Sequence, residues 1–134
     1  MERPVTVLTD INDLAELLNG STVEQAELVS ANGRMQLNID MIRAMTERKV
    51  VVQKGPIRRV KSPWTKCRLA LEAVQATTIK RVDQLPGEHP LLECAPVSGG
   101  YELTVRSDDG LHVRAVFEQL RGHFEDLGSP IEAP

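Results

Sequence analysis

Side chains that bind metals or act as nucleophiles are few in this sequence. It holds three histidines (His89, His112 and His123) and two cysteines (Cys67 and Cys94). No pair of histidines or cysteines has the short spacing, such as C-x-x-C or H-x-x-x-H, that is typical of metal sites. The sequence therefore predicts no metal and no cofactor. We expect both cysteines to be free, buried thiols, because cysteine often serves as a small apolar residue.

Motifs of known catalytic sites are also absent from the sequence. Ser98 lies in Ser-Gly-Gly and lacks the G-x-S-x-G elbow of serine hydrolases. Asp108 and Asp109 precede Gly110, which is typical of a turn. Neither a P-loop nor a dinucleotide-binding glycine motif is present. The sequence favours a protein that is not an enzyme, and the alternative is a small enzyme or ligand carrier with a pocket between sheet and helix.

The least random feature of the sequence is a concentration of positive charge in residues 43–66. Eight basic residues there oppose one acid, Glu47, which gives the segment a net charge of +7; the whole chain carries −3, so its remainder carries −10. Such a segment binds phosphates, an anionic ligand or an acidic partner, or its side chains are simply solvated. The possible contacts are Arg48, Lys49, Lys54, Arg58, Arg59, Lys61, Trp64 and Lys66.

Trp64 is the only aromatic residue near this basic segment. Proteins that bind RNA or single strands combine a basic track with several aromatic platforms on which bases stack. Nucleic acid is therefore a less favoured partner than protein. Trp64 itself either stacks on a ligand or closes the edge of the core.

The elements that would position these residues are mainly β-hairpins. Asn32-Gly33 is a preferred two-residue hairpin turn, and pairing outward from it sets Leu28 opposite Leu37 on an apolar face. A turn at Ser98-Gly99 and a loop at 108–110 predict two more hairpins by the same test.

The two C-terminal hairpins share one apolar face. The turn at Ser98-Gly99 sets Cys94 opposite Leu103, and the loop at 108–110 sets Leu103 opposite Ala115. Alternating apolar residues predict further strands at 66–74 and 76–82. Residues 39–49 are compatible with helix or strand. Residues 49–61 give no clean apolar face with either a two-residue or a three-residue turn around Gly55-Pro56, so they are compatible with an extended loop.

Helical spacing occurs near both ends of the chain. Residues 10–20 predict a short helix with Asp10 as its N-cap. Leu120, Phe124 and Leu127 predict a second helix, which Gly128 would end.

These elements predict one domain, residues 1–134, of the α+β class. It would be an antiparallel meander of about seven strands, forming a curled sheet or half-barrel, with a short N-terminal and a C-terminal helix. Since the sequence has no signal peptide and no apolar run of roughly 18 residues, we expect a soluble, cytoplasmic protein without a membrane contact. Its predicted function is a non-catalytic binding or scaffolding module that acts through a protein partner or self-association. The alternative is binding of nucleic acid or an anionic ligand through residues 43–66.

Overall fold

Most of the chain is β-strand. The computed structural model describes residues 1–31, 33–47, 50–83 and 89–131, and this part contains eleven strands and one helix. In chain order the elements are β1 (Glu2–Val5), α1 (Leu8–Leu17), β2 (Thr22–Ala31), β3 (Arg34–Ala44), β4 (Val50–Lys54), β5 (Ile57–Lys61), β6 (Trp64–Glu72), β7 (Val74–Arg81), β8 (Leu92–Val97), β9 (Gly100–Arg106), β10 (Leu111–Phe117) and β11 (Gly122–Ile131).

The strands form three antiparallel sheets. The first has the order β1-β11-β6-β3-β2, the second has the order β7-β10-β9-β8, and β4 and β5 form a two-stranded ribbon of their own. The two larger sheets share one core, to which β6 contributes Leu69 and β9 contributes Leu103. The chain passes from one sheet to the other at Ala73, which has a positive φ of 56°, and again at residues 118–121.

The predicted hairpin registers are confirmed. Leu28 pairs with Leu37 across β2 and β3, and Leu103 of β9 pairs with Cys94 on one side and Ala115 on the other. Asn32, at the first predicted turn, lies outside the described residues. The strands predicted at 66–74 and 76–82 correspond to β6 and β7, so local turn chemistry and alternation were sufficient to identify them.

The predicted C-terminal helix is wrong, because its residues form β11 between β1 and β6. Phe124 pairs with Leu69 and is fully buried. A Cβ atom at Gly122 would lie 2.3 Å from the backbone oxygen of Ala70, so the absence of a side chain lets β11 approach β6. The prediction of an α+β meander of about seven strands around two helices is therefore corrected to a mainly β architecture with eleven strands in three sheets.

The N-terminal helix exists but begins earlier than predicted. Val7, not Asp10, is its N-cap, and Asp10 lies in the first turn. The Asp10 carboxylate accepts hydrogen bonds from the backbone amides of Thr6 (2.9 Å) and Val7 (3.2 Å), and these bonds lower its pKa. The helix buries Ile11 and Leu14. No helix in the described ranges is long and apolar enough to cross a membrane.

Candidate functional site

The segment between β3 and β6 contains a β-hairpin, residues 50–61, which we call the arm. Its strands β4 and β5 pair from Val50 opposite Lys61 to Lys54 opposite Ile57, around a turn at Gly55-Pro56. Gly55 has a φ of +58°, as the first position of a type II′ hairpin turn requires. The sequence pattern left this segment open because register can be read only where one face is buried.

One face of the arm is basic. Residues two apart on a strand share a face, so the register places Ile57, Arg59 and Lys61 of β5 on the same face as Lys54 of β4. These four side chains line a shallow depression of about 210 Å³. An anionic group in the depression would meet three cations and one apolar side chain.

The opposite face of the arm combines apolar and polar side chains. Val51 pairs with Val60 there, and Gln53 pairs with Arg58. Val51 is 49% exposed and Val60 is 59% exposed, while Ile57 on the basic face is 55% exposed. Large apolar side chains that neighbour one another and face water often mark a surface for a partner.

The positive charges of the arm have no partners among the described carboxylates. No described carboxylate oxygen lies within 4.0 Å of the charged nitrogens of Lys54, Arg58, Arg59 or Lys61. By contrast, five arginines on strands of the two large sheets each pair with a described carboxylate: Arg43, Arg68, Arg81, Arg106 and Arg114. The arm therefore concentrates positive charge that the described carboxylates do not neutralise.

A buried ion-pair network lies at the base of the arm. Arg43, near the end of β3, is fully buried and donates two hydrogen bonds to Asp126 of β11, at 2.9 and 2.8 Å. It donates two more to Glu47, at 2.7 and 3.2 Å. The amide of Met45 donates to the carbonyl oxygen of Pro63 at 2.7 Å, which joins the two chain segments that lead into the arm.

The network keeps its members charged at neutral pH. Burial raises the pKa of Asp126, but the hydrogen bonds and charges of Arg43 and of the Met1 amine together outweigh it and hold that pKa below its ordinary value. Hydrogen bonds from Arg43 likewise lower the pKa of Glu47, and the hydrogen bond to Asp126 raises the pKa of Arg43. Arg43 contributes to the sequence charge of residues 43–66, but it is not part of an accessible basic surface.

The contact residues that the sequence predicts fall in three groups. The arm carries Lys54, Arg58, Arg59 and Lys61. β6 carries Trp64 and Lys66. Arg48 and Lys49 lie outside the described residues. The sequence analysis chose these positions by charge, so it missed the exposed apolar residues Val51, Ile57 and Val60. These three residues lie among cations in a segment without a clean apolar face, and that pattern could have indicated that they are exposed.

Trp64 and Lys66 lie on the outer face of the five-stranded sheet. Trp64 is half-buried and pairs with Ala44, while Lys66 is exposed and pairs with Ile42. Thr65, between them, points inward and is buried. Trp64 and Lys66 therefore share a surface that begins near the end of the arm, three residues after Lys61.

Two other depressions bear on the alternative of an enzyme or ligand carrier. One of about 150 Å³ lies between β1 and α1, which is small beside the roughly 300–1,000 Å³ of typical ligand sites. The other, about 470 Å³, lies where the chain changes sheets; the residues that line it are Arg34, Met35, Ala73, Val74, Gln75, Glu118, Gln119 and Arg121. Among the described residues of that lining, Glu118 is the only carboxylate.

The candidate nucleophile and acids of the sequence occupy turns. Ser98 lies in the turn between β8 and β9. Asp109 accepts a hydrogen bond from the amide of Leu111 (3.1 Å) and pairs with Arg81 (3.2 Å). The bond from Leu111 is the largest influence that lowers the pKa of Asp109. These contacts give Asp109 a structural role in its turn.

Comparison with protein-family models, with curated proteins and with solved structures finds no match for this chain. The geometry and charge of the arm therefore provide the evidence about function. Its four unpaired cations and three exposed apolar residues form the most distinctive surface of the described chain.

Proposed function

We propose that this protein is a non-catalytic binding module that binds an acidic, partly apolar segment of a protein partner through the arm. The observation that carries the proposal is the exposure of both faces of the arm together with its unpaired positive charge. An acidic partner would supply the carboxylates that the described part of the chain does not place at the arm. We expect this binding to take place in the cytoplasm, the compartment that the sequence predicts.

The apolar residues favour a protein segment over a purely ionic ligand. Phosphate contacts need cations, whereas Val51, Val60 and Ile57 gain only from burial against other apolar atoms. Burial of one such side chain is worth about 1.5–3 kcal/mol. An extended segment in which acids alternate with apolar residues would present its acids to the basic face of the arm and its apolar side chains to the face that carries Val51 and Val60.

The backbone of the arm supports the same proposal. In the described chain, β4 and β5 pair only with each other, so each has one edge without a strand partner. An extended peptide can add to such an edge and gain main-chain hydrogen bonds, while its side chains give specificity. The hydrogen bonds at the base, from Arg43 and from Met45, order the chain segments that lead into the arm before binding and so reduce the entropy lost on association.

A second copy of the chain is one candidate for the acidic partner. The sequence outside residues 43–66 carries a net charge of −10, so the arm of one copy and the body of another are complementary in charge. Sedimentation at increasing protein concentration distinguishes self-association from binding to a different protein.

Reversal of the arm's charge tests the proposal. The probes are a labelled peptide in which Glu alternates with Val and, separately, a short duplex DNA. The variant Arg58→Glu/Arg59→Glu/Lys61→Glu should bind the peptide at least about tenfold more weakly, because like charges in contact cost several kcal/mol. The matched control is Arg34→Glu/Lys80→Glu/Arg121→Glu, which makes the same change in net charge at exposed positions outside the arm and should bind as wild type does.

A second pair of substitutions separates a protein partner from nucleic acid. Val51→Ser/Val60→Ser removes exposed apolar groups without changing charge, so it should weaken peptide binding and leave any binding of the duplex unchanged. The proposal is wrong if the charge-reversed arm binds the peptide as tightly as wild type, with both variants shown to be folded by their urea midpoints.

Duplex nucleic acid is the second candidate partner, and the ribbon shape of the arm favours it. A two-stranded β-ribbon fits the major groove of B-DNA. The arm also carries cations on both faces, with Arg58 on one and Arg59 on the other. In that case the logarithm of affinity should fall linearly with the logarithm of salt concentration, with a slope of about 0.9 for each phosphate contact.

A further inference from the structure

Three side chains with metal-binding atoms meet on the outer face of the five-stranded sheet, away from the residues of the arm. They are Glu2 of β1 and His123 and Glu125 of β11. One ligand atom from each lies within 4.8 Å of the ligand atoms of the other two. The Nε2 atom of His123 is 3.8 Å from a carboxylate oxygen of Glu125.

Strand pairing brings these residues together. β1 and β11 are antiparallel neighbours in which Glu2 lies opposite Glu125 and Pro4 lies opposite His123. His123 and Glu125 are two residues apart, so both project from the same face of β11. The three side chains therefore start from a backbone that hydrogen bonds already hold in place.

The pairing of Glu2 with Glu125 has an electrostatic cost that Arg68, which attracts Glu125 from a distance, offsets only in part. Like charges directly opposite each other on antiparallel strands are destabilising. No described Lys or Arg nitrogen lies within 4.0 Å of either carboxylate. Arg68 pairs with Glu125 in the backbone register, but its guanidinium donates to Asp40 at 2.7 and 3.2 Å. A bound cation would convert this repulsion into attraction.

We propose that Glu2, His123 and Glu125 form a binding site for a divalent transition-metal ion of the zinc class. Zinc accepts imidazole nitrogen and carboxylate oxygen as ligands, whereas calcium and magnesium are bound by oxygen. Ligand atoms about 2.1 Å from a tetrahedral zinc ion are about 3.4 Å apart. The present separations need only small side-chain rotations to reach that value, and the exposure of Glu2 and His123 permits them.

The site would have three protein ligands and at least one position open to water. Glu2 and His123 are exposed and Glu125 is partly exposed, so solvent reaches the ion. Sequence reasoning missed this site because it sought histidines or cysteines at short spacing. Here the ligands come from two strands separated by most of the chain, and glutamate supplies two of the three.

Metal titration of the tag-free, chelator-treated full chain tests the proposal, with Zn²⁺ followed by calorimetry and Co²⁺ followed by its visible absorption. We expect one ion per chain. Each of the variants Glu2→Gln, His123→Asn and Glu125→Gln should raise the dissociation constant by at least about tenfold, since even the loss of a group that only supports a ligand costs 10–100-fold. All three substitutions are at least partly solvent-exposed, and a urea midpoint for each variant verifies that it is folded.

His112→Asn is the matched control. His112 also lies on a strand, but the charged groups near it are the cations Lys80, Arg106 and Arg114, so it should not bind a metal ion. This variant should bind Zn²⁺ as wild type does. The proposal is overturned if wild type binds no ion, or if the His123 and His112 variants lose affinity equally.

Discussion

The guanidinium of Arg43 binds the carboxylate of Asp126 through two hydrogen bonds, although 83 residues separate the two in the sequence. Arg43 lies on β3 and Asp126 on β11, the two strands that flank β6 in the larger sheet. The interaction therefore joins three neighbouring strands at the place where the arm leaves the sheet. Because Arg43 is fully buried and the Asp126 side chain is only 8% exposed, neither charge has water as an alternative partner.

Arg43→Met should destabilise the protein by about 3–5 kcal/mol, because the nearly buried Asp126 carboxylate loses the guanidinium that binds it and keeps the amine of Met1, at 3.3 Å, as its described cationic partner. Urea unfolding followed by circular dichroism measures this change. The control is Arg106→Met, which breaks the exposed pair between Arg106 and Glu93 and should cost no more than about 1 kcal/mol. If both variants lose the same stability, the Arg43 network does not hold the sheet together.

Stability should decrease in alkaline solution because of Cys67. Burial raises the pKa of Cys67 from 9.0 to about 12, so the folded state retains a proton that the unfolded state releases. The contribution is present below pH 9 and is lost as pH rises toward 12. Cys94, whose pKa burial raises to about 11, acts in the same direction. Unfolding midpoints at increasing pH should fall, and they should fall less steeply in Cys67→Ala.

Native thiols should also react slowly. Cys67 is fully buried and Cys94 is half-buried, and both are free. A thiol reagent at pH 8 should label Cys67 only after denaturant is added, since the thiolate is the reactive species and is scarce. Rapid labelling of both thiols in the folded protein would contradict the burial of Cys67.

Leu103→Ala should destabilise the protein by about 2–5 kcal/mol, the range for removal of a buried leucine side chain. Leu103 is fully buried between Cys94 and Ala115 of the neighbouring strands. The comparison is Val97→Ala on β8, where the side chain is 38% exposed and the loss should be about 0.5 kcal/mol. A Leu103 variant as stable as this control would mean that β9 has another register.

Gly122→Ala distinguishes the strand β11 from the helix that the sequence predicts. In the strand, the new methyl group would meet the backbone oxygen of Ala70 at 2.3 Å, and overpacking of this kind costs about 1–3 kcal/mol. In a helix the same change would stabilise by about 1 kcal/mol. Calorimetric unfolding shows whether the change in stability is negative or positive. The control is Gly99→Asn, because no atom lies near the missing Cβ of Gly99 and asparagine tolerates its positive φ of 82°.

The prediction of a C-terminal helix failed because two periods fit the same residues. Leu120, Phe124 and Leu127 have the spacing of a helical face, yet the even spacing of Leu120 and Phe124 also fits one face of a strand. Pairing of β11 with β1 and β6 decided between them, and those partners are about 50 residues or more away in sequence. The spacing of residues within one segment does not show that the segment will pair with two strands that are distant in sequence.

The arm and its basic face were predicted only as a charged segment. The sequence identifies Arg58, Arg59 and Lys61 as a cluster. It does not reveal the hairpin register that puts Arg58 on the face opposite Arg59, because these residues show no clean apolar face. Arg43 shows the converse. Its charge belongs to the same segment in sequence, and only the arrival of Asp126 from β11 makes it a buried partner of a carboxylate.

The sequence by itself determined the hairpins at residues 22–44, 92–106 and 100–117, because a short turn and alternating apolar residues specify a register between neighbours in the chain. Tertiary structure alone decided the position of β11, the burial of Arg43 and the meeting of Glu2 with His123. Each of these depends on contacts between residues far apart in sequence. Such contacts form because they lower the free energy of the whole packed core, and a local sequence pattern does not contain that information.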